Sequence, residues 1–342
     1  MNHLNTPFEL KSLSLKNRIV MPPMCQYSAL AKDGMPTDWH YVHYVSRAVG
    51  GAGLIIIEMT NVEPDGRITD HCLGLWSDEH TPKFARIIKE AQKYGAKVAI
   101  QIAHAGRKAE DAPQPVGPST IAVDNTFKTP RALTTEEVKA MVLKYQEAAR
   151  RALEAGVDTI ELHGAHGYLI HQFHSPGINN RDDEYGKDLS LFGVEVIKAV
   201  KEIMPKDMPL IMRVSAVEYM DGGYDVDHMI EIASKYKAAG VDVFHVSTGG
   251  EGPVGTTRKP QYAPGYQVDF AKALKDALEM PVIAVGMLDD PQLAEATLAE
   301  GKADLVAVGR GMLKDPYWAV HALAEVSGVV EGSVPVQYER AY

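Results

Sequence analysis

The sequence predicts an α/β fold, an eight-stranded parallel β/α barrel in a single domain. Three observations carry it: eight short apolar segments, helical segments between them, and surplus length concentrated after strands. The apolar segments are 19–24, 54–59, 97–102, 158–163, 210–215, 242–247, 282–286 and 304–309. Several are near-continuous runs, such as Leu54-Ile-Ile-Ile and Val282-Ile-Ala-Val. Such runs suit parallel strands buried on both faces rather than strands with one wet face.

The intervening helices carry their own punctuation. Thr134 with Glu137 forms a capping box, and Val138, Met141, Val142, Tyr145, Ala149 and Ala152 then recur at helical spacing before Gly156 stops the helix. Asp225 opens a second helix that Gly240 ends, and Asp290-Pro291 opens a third that Gly301 closes. A barrel of this kind needs roughly 250 residues, and the chain has 342. The excess falls in 103–133, 164–190 and 248–266, each after a strand, where this fold builds its active-site face. A doubly wound open sheet is the structural alternative, disfavoured by the count of eight.

Composition narrows the class. Hydrophobic residues make up 45% of the chain, enough for a large core, and the net charge of −10 comes without a basic cluster, which argues against nucleic acid as a partner. No run approaches the roughly 18 apolar residues of a membrane span, and the start lacks the pattern of a secretory leader. With only Cys25 and Cys72, neither a disulfide framework nor a four-cysteine metal site can be built from one chain. The expectation is a cytoplasmic protein with reduced thiols.

The strand ends bring polar residues to one mouth: Pro23-Met24-Cys25-Gln26-Tyr27, Thr60, Gln101, His163, Arg213, Gly286 and Gly309-Arg310-Gly311. The loops after strands seven and eight are the recurrent phosphate site of this fold, where glycines let backbone N–H groups approach an anion and Arg310 adds charge. The same glycines would also serve simply to end strands. Gly250-Glu-Gly-Pro-Val-Gly255 matches a dinucleotide fingerprint only by accident, because Pro260 and Pro264 forbid the helix that must follow.

After strand four come His163, His166 and Tyr168, then His171 and His174. No familiar zinc spacing appears, so no metal site is expected. Two imidazoles can instead donate hydrogen bonds to an oxygen that becomes an enolate. A tyrosine with an ordinary pKa of about 10 is a suitable acid toward the enolate carbon and a poor base. His171 and His174 read as packing or surface residues.

These segments resemble the old yellow enzyme family, in its bacterial NADPH dehydrogenase or thermophilic-like ene-reductase subgroup. The likeness runs through Asn17–Tyr27, Gln101–Lys108, His163-Gly-Ala-His166-Gly-Tyr168, Ser175–Gly186, Gly309-Arg310 and Gln337–Tyr342, so it covers nearly the whole chain. It implies FMN in the barrel mouth, with the phosphate at Gly286, Gly309 and Arg310. Pro22, Pro23, Met24, Thr60 and Gln101 would line the ring, Gln101 at its pyrimidine edge, with Arg213 beside N1 and C2=O and Cys25 near N5.

On the same resemblance, NADPH or NADH gives a hydride to the flavin, which passes it to the β-carbon of an activated alkene such as an enone, enal or maleimide. His163 and His166 hold the substrate carbonyl, Tyr168 protonates the α-carbon and Tyr27 also reaches the substrate. Arg340, in a tail over 333–342, crosses into a neighbouring subunit of a homodimer or homotetramer. Lys108 is either near the cofactor or solvated, and Trp39 has no assigned place. Pro22 replaces a frequent serine, Thr60 a frequent alanine or glycine, and His174 and Lys187 also depart from the family pattern. Two other classes stay open: a Schiff-base aldolase, which would need a strand-end lysine, and a flavin-binding protein without turnover. The larger dienoyl-CoA reductases need an iron–sulfur cluster that two cysteines cannot supply.

Overall fold

A computed structural model describes residues 3–250, 260–328 and 334–341. Eight parallel strands, β1 (Ile19–Met21), β2 (Leu54–Asn61), β3 (Lys97–Ala103), β4 (Thr159–Gly164), β5 (Leu210–Ser215), β6 (Val243–Ser247), β7 (Val282–Val285) and β8 (Leu305–Ala307), pair in sequence order, and β8 returns to β1 to close the barrel. All eight expected strands are present. The 210–215 strand keeps its expected ends, and elsewhere an end moves by at most three residues, most at β1 and β8, where Pro22 and Gly309 leave the ladder.

The outer ring comprises α1 (Asp38–Val49), α2 (Thr81–Gln92), α3 (Thr135–Glu154), α4 (Leu191–Ile203), α5 (Val226–Ala239), α6 (Val268–Leu278), α7 (Pro291–Ala299) and α8 (Trp318–Ser327). The caps are those the sequence marks. Glu137 N–H donates to Thr134 Oγ1 and Thr134 N–H donates to the Glu137 carboxylate. Asp225 receives the N–H of His228, and Asp290 those of Gln292 and Leu293. Among the described residues no helix is long and apolar enough to cross a membrane.

Alternation along the strands sorts residues onto two faces. Outward side chains such as Ile55, Ile57, Ile100, Ile102, Leu162 and Val214 join the shell core under the helices. Inward side chains at the strand starts, among them Val20, Leu54, Ile56, Ala99, Ile211, Val243, Ile283 and Leu305, form a separate core. An antiparallel hairpin of Phe8–Leu10 and Leu13–Leu15 contributes Phe8, Leu13 and Leu15 to that inner core and stops the N-terminal end of the barrel.

One irregularity changes which side chain faces the mouth. The β2–β3 register shifts between Ile57 and Thr60, so that Thr60 pairs with outward-facing Ile102. Glu58 takes up the extra residue, and Met59 joins Cys25 and Tyr168 in a small apolar cluster at the mouth.

The long loops are where the sequence places them. That after β3 holds a short pairing of 116–117 with 131–132, and that after β4 holds the helix Leu169–His174. In the loop after β6, residues 251–259 lie outside the described residues, and with them most of the Gly250–Gly255 motif.

Candidate active site

The site begins with a polar layer on the inner face, above the hydrocarbon floor. Gln101 Nε2 donates to Glu161 Oε1 at 2.8 Å, and His245 Nδ1 lies 2.7 Å from Glu161 Oε2. A carboxylate only accepts, so Nδ1 carries the His245 proton. Arg213 pairs in register with His245 on one side and His163 on the other. Arg213 Nε and His245 Nε2 are buried and have no hydrogen-bond partner among the described residues. Buried polar atoms are rarely left without partners. Two at the base of an open mouth suit the polar edge of a bound ring.

Above this layer, β4 delivers His163. The N–H of Ala165 donates to its Nδ1 at 3.3 Å, so the neutral ring carries its proton on Nε2. His166 sits at φ 60°, in the left-handed region, held there by three contacts. Its N–H donates to Ser215 Oγ at 3.0 Å, its Nε2 lies 2.8 Å from Ser247 Oγ, and its carbonyl accepts from Lys108 Nζ at 2.7 Å. Burial, then the nearby Arg213 cation, pushes both imidazoles well below their ordinary range and keeps them neutral.

Tyr168 precedes the helix Leu169–His174 in extended backbone. Its ring meets His163 edge-on at 4.9 Å, and the two histidine rings are 5.4 Å apart. Burial, reinforced by Cys25 and Tyr27, raises its phenol well above the usual range, so it stays protonated.

The other expected residues fall into two groups. Pro22 and Pro23 are buried, Met24 and Cys25 half-buried, and Tyr27 is exposed at φ 50°. A Cβ on Gly309 would stand 3.5 Å from Met24 Sδ, so the ends of β1 and β8 meet. Gly286 has φ 132°, and a Cβ there would come within 2.9 Å of Gln267 Nε2. Arg310 is exposed beside Gly309. Burial, then Glu58, raises the Cys25 thiol well above its ordinary pKa and keeps it uncharged.

Thr60 is different: it is wholly buried on the outer face and donates to Glu58 O at 2.8 Å, so Met59 holds the place at the mouth expected of it. Lys108 is at the site, its ammonium 5.4 Å over the Tyr168 ring. Arg340 is exposed in a single chain, on a short turn whose Tyr338 hydroxyl is 3.4 Å from that of Tyr317. Trp39 is exposed and donates to Gln26 Oε1. His171 and His174 are packing residues, fully buried and bonded to Glu218 and Tyr236.

Glu161, His245, Ser215 and Ser247 were not anticipated. Each lies on the inner face; alternation from His163 and Arg213 puts Glu161 and Ser215 there, whereas β6 offered no recognised strand-end residue from which to count to His245 and Ser247.

Residues 3–327 match the model of the NADH:flavin oxidoreductase / NADH oxidase family. The chain belongs to that family. It is 46% identical over 342 residues to an NADPH dehydrogenase of Bacillus subtilis, covering 99% of both chains. Morphinone reductase superimposes with a TM-score of 0.81 at 28% identity, over 95% of this chain and 90% of that one, and has also been solved with tetrahydroNAD. A 2-naphthoyl-CoA reductase gives a TM-score of 0.88 at 26% identity, over 95% of this chain, which spans 52% of that larger protein. This member of the old yellow enzyme family is therefore an NADPH dehydrogenase-type oxidoreductase that uses FMN and a nicotinamide on a barrel.

Proposed function

We propose that the chain is an ene-reductase, acting on small alkenes conjugated to a carbonyl: enones, enals and maleimide-like compounds. The observation that carries this reading is the grouping of His163, His166 and Tyr168 directly beyond the Gln101–Arg213 layer. It supplies hydrogen-bond donors for an oxygen and a protonated phenol for a carbon in one mouth.

FMN, when bound, supplies the hydride it has taken from NADPH or NADH. Gln101 and Arg213 would hold its pyrimidine edge, where a cation favours the reduced, anionic ring. Pro22, Pro23, Met24 and Cys25 would line the ring, and Gly286, Gly309 and Arg310 would hold the phosphate. His163, with its proton fixed on Nε2, donates to the substrate carbonyl oxygen. His166 shares its Nε2 proton between Ser247 and that oxygen. Both donors gain strength as the oxygen becomes an enolate. Tyr168 then gives its proton to the α-carbon. Tyr27, exposed at the rim, closes on the substrate from the β1 side.

The remaining features concern assembly. Arg340 reaches the site of a neighbouring subunit, the tail over 333–342 lies at that interface, and the protein is a cytoplasmic homodimer or homotetramer. Lys108 does not serve as a Schiff-base lysine in this reading, since its amine is engaged by His166 O. The test is an anaerobic titration of the purified holoenzyme with NADPH followed by a cyclic enone. Loss of the flavin band and its recovery on adding enone are expected. Loss without recovery would leave a flavin reductase and overturn the alkene assignment.

A further inference from the structure

The proposed reaction gives His245 no part in moving protons. Its ring is wholly buried, donates Nδ1–H to Glu161 Oε2 and leaves Nε2 without a partner among the described residues. The charged and titratable groups that face it are Glu161 from β4, Arg213 beside it on β5, and His163 at the end of β4. Its neighbour on β7, Ile283, is apolar.

Glu161, a hydrogen-bond acceptor at both oxygens, stands against the Arg213 guanidinium, and burial holds His245 neutral in spite of Glu161. With Glu161 already set against Arg213, a further negative charge placed against the layer is only partly offset by that cation in a dry interior, which is costly. Reduction of a flavin held at Gln101 and Arg213 adds such a charge. Gln101 and Arg213 cannot take a proton and both Glu161 oxygens already accept hydrogen bonds, so among the described residues of the layer His245 Nε2 is the basic atom left without a partner.

We propose that His245 is a redox-linked proton acceptor, taking one solvent proton at Nε2 when the flavin becomes an anion and releasing it on reoxidation. The proposal rests on the placement of the flavin's pyrimidine edge given above. The balance is complete: NADPH loses a hydride, which carries two electrons and one proton to the ring and leaves NADP⁺. One further proton passes from water to His245. When the alkene removes the hydride, His245 returns that proton to solvent. Glu161 is the positioning residue, fixing the imidazole through Nδ1 and holding Gln101 through its other oxygen.

The test is the two-electron reduction potential of the holoenzyme, measured by spectroelectrochemistry across pH 6 to 9. A tenfold change in a two-electron equilibrium is about 30 mV, so one proton gives a slope of about 30 mV per pH unit and two give about 60 mV. The wild type should show the steeper slope while its reduced spectrum stays that of the anionic flavin. His245→Gln, which retains a donor toward Glu161, should fall to the shallower slope. A shallow slope in the wild type, or a steep slope kept by His245→Gln, overturns the proposal. Should that variant fail to retain FMN, the wild-type slope and spectrum still decide: a steep slope with a neutral reduced flavin puts the proton on the ring and refutes it. None of these readings needs an alkene, so failure of enone turnover would overturn the proposed function without touching this result.

Discussion

The ring of Tyr168 stands edge-on to that of His163, 4.9 Å between centroids, although one lies in the loop before the helix Leu169–His174 and the other in β4. In the proposed reaction this contact would set the proton donor for the α-carbon beside a hydrogen-bond donor for the carbonyl oxygen.

Tyr168→Phe keeps the ring packing and removes the proton. Enone reduction should slow by about 10²-fold, while bleaching of the flavin by NADPH is retained, as followed by stopped-flow absorbance of the separate half-reactions. Equal loss in both would show that the phenol is not the acid.

Replacing His163 and His166 together by alanine removes both donors to the substrate oxygen. Phenolates, which imitate the enolate, should bind at least tenfold more weakly, judged by the long-wavelength band that they form with flavin. Unchanged affinity would refute the assignment.

Glu58 gives a pH dependence with a definite sign. Its carboxyl accepts from Gln26 N–H and Tyr44 OH, yet burial raises it from 4.5 to about 7. The folded protein therefore binds the proton more tightly than the unfolded chain. Stability from this group is full below pH 4.5, is lost as pH rises to 7, and is flat above. The shift corresponds to about 3 kcal/mol. His40 and His43, held down to about 4 and 3 by burial, act in the opposite direction over part of this range. The difference between wild type and Glu58→Gln isolates the carboxyl: in urea unfolding the variant should gain on the wild type from pH 5 to 7. A constant difference would contradict the raised pKa.

Arg340→Ala should raise KM for the enone without releasing FMN, since the side chain is exposed in one protomer and is assigned to its neighbour's site. Sedimentation analysis with parallel kinetics checks this. A fully active monomer would rule out the shared site.

Periodicity made most of this legible. The barrel was readable because buried parallel strands, capping boxes and terminal glycines each leave a local mark, as at Thr134, Asp225 and Asp290. His163, His166 and Tyr168 were readable because they follow an apolar strand at its mouth. The face taken by the Thr60 side chain was not readable, because alternation counts two residues per repeat and the extra residue at Glu58 resets the count in a way that only pairing with β3 reveals. The Glu161–His245 pair was hidden for another reason: its members lie on different strands, and nothing in the order of residues shows that they meet.

The hairpin of Phe8–Leu10 and Leu13–Leu15 has a kinetic consequence. With that end of the barrel stoppered, the proposed reaction would bring nicotinamide and alkene to the flavin through the same door. On that reading donor and acceptor should take turns, with parallel double-reciprocal lines expected in steady-state kinetics and inhibition by an excess of either reactant.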